Sequence, residues 1–173
     1  YGNIEDLKSK ITANTAGVLV EPIQGEGGVV VPPVGYLKEI EKICKEKNIL
    51  FICDEIQAGL GRSGKLFSHY YENVRPDMVI VGKALSGGFY PVSGVLADKT
   101  IMLTIKPGEH GSTFGGNPLA AAVAVKSLEV IEEEKLVERS FELGAYFVEK
   151  LRAIGDPKIK EVRGRGLWIG FVL

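Results

Sequence analysis

The sequence is short of the residues that announce the simpler functional classes. It has two cysteines, Cys44 and Cys53, too few for a disulfide framework. Both sit in apolar runs and read as reduced core thiols in a reducing compartment. No charge of one sign prevails. The 21 Lys and Arg stand against 22 Asp and Glu, a net charge of −1, so composition predicts no affinity for nucleic acid or an anionic membrane. No apolar run is long enough to span a bilayer, and the opening YGNIEDLKSKI does not read as a signal peptide. Internal repeats and low-complexity tracts are missing as well. What remains is a soluble globular chain whose 173 residues, 45% of them hydrophobic, suffice for one sizeable core.

The apolar residues arrange themselves as alternating strands and helices. AGVLVEP (Ala16–Pro22) is a short β-branched run stopped by proline, which predicts a buried strand. In VGYLKEIEKICKEKN, Leu37, Ile40, Ile43 and Cys44 recur at helical spacing, with Lys and Glu on the other face. ILFICDE and MVIVGK read as further buried strands. Strand, helix, strand with near-continuous apolar strands predicts a parallel sheet covered on both faces. PVSGVLAD is a fourth strand of either direction. Asn117 is placed to cap a helix whose first residue is Pro118. The alanines that follow predict close packing against a neighbour. LVERSFELGAYFVEKLRAI reads as an amphipathic helix with Leu136, Leu143, Phe147 and Leu151 near one stripe. IKEVRGRGLWIGFVL starts a strand pair, and a composition shift near Glu132–Lys135 marks a domain boundary. The predicted class is α/β, with residues 1–133 in one domain and 134–173 as a linking helix and the beginning of a smaller α+β domain.

The 22 glycines cluster at strand ends, where α/β proteins place ligands. One cluster is a decoy. GLGRSGK (Gly59–Lys65) has the spacing of a phosphate-binding P-loop, and ILFICDE resembles that class's acidic strand. Yet Leu66 stands where Ser or Thr must reach magnesium. The residues after it start a helix poorly, and the phosphate loop should precede the acidic strand. A mobile surface loop is the reading preferred over a nucleotide-binding protein. No metal is called for.

A different constellation carries chemistry. Asp54 ends one predicted parallel strand and Lys83 ends another, so the two face one edge of the sheet. They could form a buried ion pair, a costly way to gain stability. They also match a cofactor site, in which a lysine amine holds an aldehyde and an aspartate holds a protonated pyridine nitrogen, the pattern used for pyridoxal phosphate. Gly87 and Gly88 let backbone approach a flat ring or a phosphate, and GSTFGG offers hydroxyls and bare N–H groups to an anion.

Four blocks, EPIQGEGG, DEIQAGLGRSGK, PDMVIVGKALSGG and HGSTFGGNP, together resemble the class III (omega) aminotransferases of pyridoxal phosphate fold type I. They occur in the family's order and span most of the chain. ENVRPD, SGGFYPVSG and IKPGEHGSTFGGNP are most similar to the ornithine-utilising branch; the acetylornithine and 4-aminobutyrate branches share the general blocks but match these stretches less. The resemblance implies a three-layer α-β-α fold with a mostly parallel sheet, and transfer of the δ-amino group of ornithine to 2-oxoglutarate. It implies that Lys83 is the Schiff-base lysine and that Asp54 pairs with the pyridinium nitrogen of pyridoxal 5′-phosphate. Gln57 would bond the ring's phenolic oxygen and Ile56 would pack on one ring face. Thr113, and more weakly Ser112, would reach the phosphate held by a neighbouring subunit, so the implied assembly is a homodimer with shared sites. Glu26 would pair with an arginine that receives the α-carboxylate of 2-oxoglutarate, and Glu21 would lie near the same pocket.

His69 and His110 are read as non-catalytic, Trp168 and Tyr36 as packing residues, and Arg163 and Arg165 as structural. A degenerate, non-catalytic member of the fold is the remaining rival, opposed by intact Lys83, Asp54 and Gln57. The family's chains are well over twice this length. The phosphate loop, the stacking aromatic and the carboxylate-binding arginine are therefore expected outside these residues, and the isolated segment is expected to be unstable as a monomer. The expected location is the cytoplasm, with the mitochondrial matrix as the alternative.

Overall fold

A computed structural model describes all 173 residues. A short helix, α1 (Ile4–Lys10), is opened by Asn3, whose side chain accepts from the Asp6 N–H at 3.0 Å. Strand β1 (Gly17–Val20) follows, then helix α2 (Tyr36–Lys47) and strand β2 (Leu50–Asp54). Helix α2 ends at Asn48, which adopts a left-handed conformation (φ 53°), and its N–H returns to the Cys44 and Lys45 carbonyls. Strand β3 (Met78–Val81) and strand β4 (Gly94–Ala97) complete a sheet in the order β1-β2-β3-β4. The pairs β1–β2 and β2–β3 are parallel; β3–β4 is antiparallel, which settles the direction of the fourth strand. A four-residue helix, α3 (Lys99–Met102), comes next.

Helix α2 covers one face of the sheet. Val18 and Val20 of β1, Phe51 and Cys53 of β2, and Leu37, Ile40 and Cys44 of α2 form one buried cluster with Tyr36 and Val74. Phe51 and Ile40 are 1% and 0% exposed, and burial of each such side chain contributes roughly 1.5–3 kcal/mol. The other face is open here. Leu19 is 61% exposed, and Ile52 is half-buried. Within residues 1–173 one face of β1 and β2 is covered, in the mostly parallel sheet with helices that the sequence predicts. Burial alternates along them, because the helix that packs on both lies on the Val18–Phe51 side. Both thiols are free and buried. Burial pushes Cys44 up to about 11 and Cys53 higher still, so both stay protonated and inert at neutral pH.

Helix α4 (Pro118–Glu133) starts as the sequence predicts: Asn117 Oδ1 accepts from the Ala120 N–H at 2.9 Å, with Pro118 at the first position. Helix α5 (Leu136–Ala153) and the antiparallel hairpin of β5 (Glu161–Arg165) and β6 (Trp168–Val172) complete the chain. The predicted stripe on α5 is not its buried face. Leu143 and Phe147 are about half exposed, whereas Ser140 and Gly144 are buried. The small residues win because backbone comes close there: a Cβ on Gly144 would overlap the Gly166 carbonyl. Of the four alanines of α4, Ala120 is buried, Ala124 is half-buried, and Ala121 and Ala122 are exposed. No helix is long and apolar enough to cross a membrane.

Ser140 is the polar pin of this region. Its hydroxyl donates to the Arg62 carbonyl at 3.0 Å and accepts from the Leu167 N–H at 3.1 Å. Ser140→Ala leaves both backbone groups without this partner in a part-buried setting, a loss of about 1 kcal/mol. Urea unfolding of the complete polypeptide will read this as a lower midpoint with unchanged slope; an unchanged midpoint would show the pin to be idle.

Candidate active site

The site lies past the carboxyl ends of β2 and β3. Parallel pairing sets Asp54 level with Ile80 on the neighbouring strand, and Lys83 comes two residues after that strand ends. Between them the turn following Asp54 folds back over β3. A Cβ placed on Gly82 would lie 3.4 Å from Ile56 Cγ2, so Ile56 rests on the peptide just before Lys83. Asp54, Ile56 and Lys83 therefore share one corner of the sheet.

The polar atoms there are free. Asp54 is half-buried, and its side chain makes one hydrogen bond, in which Oδ1 accepts from the Ile56 N–H at 3.0 Å. Its Oδ2 has no partner within the chain. Lys83 is exposed, and its amine makes neither an ion pair nor a hydrogen bond. The buried Asp54–Lys83 ion pair weighed from the sequence is thus not formed. Lys83 also sits at φ 42°, a left-handed conformation that costs a residue with a side chain on the order of 1–3 kcal/mol and that collects at functional sites. A site with one unpaired carboxylate oxygen, one unpaired amine and an aliphatic shelf between them suits a flat cation that also carries a carbonyl carbon.

Gln57 and Glu26 meet at the rim. Gln57 Nε2 donates to Glu26 Oε1 at 2.9 Å. Glu26 rides on a tight loop in which the Gly28 and Val29 N–H groups both return to the Gly25 carbonyl, at 2.9 and 3.1 Å. Val29 holds φ 56°, an uncommon conformation for a β-branched residue. Glu21 holds the same loop, its Oε2 accepting from the Gly25 N–H at 3.0 Å. No arginine of this chain pairs with Glu26. Arg163 instead donates from Nε to the Gly28 carbonyl at 2.9 Å and pairs with Glu161, a structural role, while the Arg165 guanidinium lies 4.2 Å from the centre of the Tyr71 ring.

Thr113 and Ser112 lie apart from this group, on an exposed loop before α4. Ser112 Oγ accepts from the Gly115 N–H at 2.9 Å, and neither hydroxyl bonds to the residues around Asp54. The decoy glycine loop is closed on itself. The Gly59 N–H goes to the Glu55 carbonyl and the Gly64 N–H to that of Gly61. Ser63 is buried against Ser68, and the loop leads into a single 3₁₀ turn (Ser68–Glu72). It presents no row of free N–H groups to a phosphate and opens no α-helix.

Sequence reasoning passed over Glu55. It is 1% exposed, and its carboxylate accepts from the Ser68 N–H (3.0 Å), the His69 N–H (2.9 Å) and His69 Nδ1 (2.9 Å). The available signal was strand alternation: beside a site-facing Asp54, the next side chain must turn the other way.

The whole chain, residues 1–173, matches the family described as aminotransferase class-III. It is 62% identical over its full length to the ornithine aminotransferase of a Geobacillus species, of which it covers 44%. Among solved structures it superposes on an ornithine aminotransferase from Toxoplasma gondii, described with partial occupancy of PLP at its active site. That match has a TM-score of 0.96 and 49% identity, over 99% of this chain and 41% of that one. An acetylornithine aminotransferase from Elizabethkingia anophelis matches at a TM-score of 0.94 and 52% identity, over 99% of this chain and 44% of the other. The chain thus spans under half the length of these relatives.

The rim offers a direct test of packing. A Cβ on Gly25 would overlap Gln57 Oε1 and lie 2.9 Å from Trp168 Cζ2. Gly25→Ala should therefore displace both side chains. The measurement is the emission of Trp168, taken as the difference from the same protein carrying Trp168→Phe. A shifted maximum is expected, and an unchanged one would mean that Gly25 is not packed against the indole.

Proposed function

The chain belongs to the class-III aminotransferase family, and from that premise we propose that the polypeptide carrying it moves the δ-amino group of ornithine to 2-oxoglutarate, giving glutamate semialdehyde and glutamate. The cofactor is pyridoxal 5′-phosphate. The observation that carries this reading is the pair of unengaged groups at one sheet corner, Asp54 Oδ2 and the Lys83 amine, with Ile56 laid over Gly82 between them. The ornithine aminotransferases at about 60% identity support the choice of donor.

When bound, pyridoxal phosphate supplies the electron sink that makes a carbon–hydrogen bond beside nitrogen acidic. The chain's residues do the rest. Lys83 Nζ would hold the cofactor's aldehyde carbon and move a proton beside it. Asp54 Oδ2 would accept the pyridinium N–H and so keep that ring charged. Ile56 would support one ring face, and Gln57 would face the phenolic oxygen. Thr113, with Ser112 beside it, would serve the phosphate of a second copy, in a homodimer with shared sites. Their exposed loop supports this, as do exposed Phe89, Leu103 and Phe114. Residues 1–133 then belong to the cofactor-binding domain and 134–173 to the linking helix and start of a smaller domain. The substrates are small molecules, and the cytoplasm is the proposed location.

A second reading, acetylornithine as donor, is favoured by the Elizabethkingia neighbour. Half-reactions with ornithine and with acetylornithine, run separately, distinguish the two. For the chemistry itself, Lys83→Ala in the complete polypeptide should keep the fold but lose turnover and covalent trapping of cofactor by borohydride. Near-wild-type transamination in that variant would sink the assignment.

Glu26 has to serve two unlike substrates, a δ-amine and an α-carboxylate. Its place on a strained loop, bonded to Gln57, suits an acid that covers a carboxylate-binding cation in one half-reaction and leaves it in the other. A charge-assisted pair of this kind is worth roughly 1–3 kcal/mol, so Glu26→Ala should shift preference from ornithine toward glutamate by about ten- to a hundredfold. Stopped-flow of each half-reaction checks it; equal slowing of both would reduce Glu26 to a structural role.

A further inference from the structure

Four anchors fix the peptide that links the site-facing Asp54 to Gln57. The Glu55 N–H extends the β2–β3 ladder by donating to the Ile80 carbonyl at 2.9 Å, and the Glu55 carbonyl accepts from the Gly59 N–H at 2.9 Å. Asp54 Oδ1 closes its own tight turn on the Ile56 N–H. The fourth anchor is the Glu55 carboxylate. Its Oε1 accepts from both the backbone N–H and Nδ1 of His69, and its Oε2 accepts from the Ser68 N–H. That carboxylate is nearly sealed from water, and the His69 ring is held in place by stacking on Phe67 and an edge contact with Tyr70.

A buried carboxylate is expensive unless each oxygen is satisfied, and an aliphatic side chain would fill the same space. The backbone N–H groups of Ser68 and His69 belong to the start of a 3₁₀ turn fourteen residues away. Glu55 therefore ties that turn, and the glycine loop before it, to the end of β2. The segment bearing the two cofactor-facing polar side chains is held from behind as well as along its own backbone.

We propose that Glu55 is a positioning residue: its carboxylate, gripped by Ser68 and His69, sets the direction in which Asp54 and Gln57 face the cofactor. The inference rests on the pyridoxal phosphate reading above. Glu55 touches neither substrate nor cofactor and acts through its neighbours in sequence.

The test uses the complete polypeptide and pyridoxal 5′-phosphate itself. Glu55→Gln keeps the shape but must aim an NH2 group at an N–H donor. Losing a buried, charge-assisted hydrogen bond costs enough to raise the Kd for pyridoxal phosphate by about tenfold, and the visible absorption maximum of the bound cofactor should move. His69→Phe keeps an aromatic ring and both backbone donors but removes Nδ1, so its Kd should rise by about two- to threefold; this variant reads the same linkage if Glu55→Gln does not fold. Asn3→Ala, which removes the cap of α1 and touches neither the glycine loop nor the 3₁₀ turn, is the control and should leave Kd and spectrum unchanged. Unchanged Kd and spectrum in a folded Glu55→Gln, or in His69→Phe if Glu55→Gln does not fold, would overturn the inference alone. So would an equal change in Asn3→Ala. A wild-type protein that binds no pyridoxal phosphate would overturn the functional reading and this inference with it.

Discussion

Parallel pairing of β1, β2 and β3 is the constraint on which the rest depends. Parallel strands all end on the same edge, so whatever follows each strand is delivered to one place. Here that edge receives Asp54 from β2 and Lys83 from just beyond β3. The core serves this geometry. Helix α2 lies across β1 and β2, its Ile40 sealed against Phe51 and Cys53 in one cluster, and Asp77 Oδ2 caps the start of β2 by accepting from the Phe51 N–H at 2.8 Å. A strand so pinned cannot slip in register, and a slip of one residue would turn Asp54 to the opposite face.

At that edge the chain departs from low-energy local structure. Lys83 and Val29 both take left-handed backbone, and a carboxylate is buried at Glu55. Each departure is held by dense contacts nearby: Ile56 over Gly82, the loop hydrogen bonds to Gly25, the donors from Ser68 and His69. Leu60 and Lys135 take the same backbone away from this corner, and everywhere such strain persists because its surroundings over-determine it. The exposed salt bridges behave differently. Arg75–Asp98 at 2.8 Å joins two largely solvated side chains and contributes about 0–1 kcal/mol.

Much of this was legible in the residues. The strands at Val18, Phe51 and Val79, the cap at Asn117, the hairpin beginning near Glu161 and the buried state of both cysteines all follow from periodicity and local chemistry. The failure on α5 has a physical cause. The α5 stripe was assigned by hydrophobicity, but contact there is governed by how closely backbone can approach, which favours Ser140 and Gly144. Residues 1–173 cover one face of β1 and β2, and an apolar run does not say which face that is.

By itself the sequence determined the family, the strand-end acid and lysine, and the rejection of the P-loop, because those depend on residue type, order and spacing along one chain. Tertiary structure alone decided who touches whom. It showed that Asp54 and Lys83 stay apart with free polar atoms, that Gln57 reaches back to Glu26 across thirty-one positions, and that Glu55 is locked to His69 across fourteen. Such contacts join segments whose separation in sequence carries no periodic signal. They exist only once the sheet has stacked its ends on one edge and the glycine loops have closed around them.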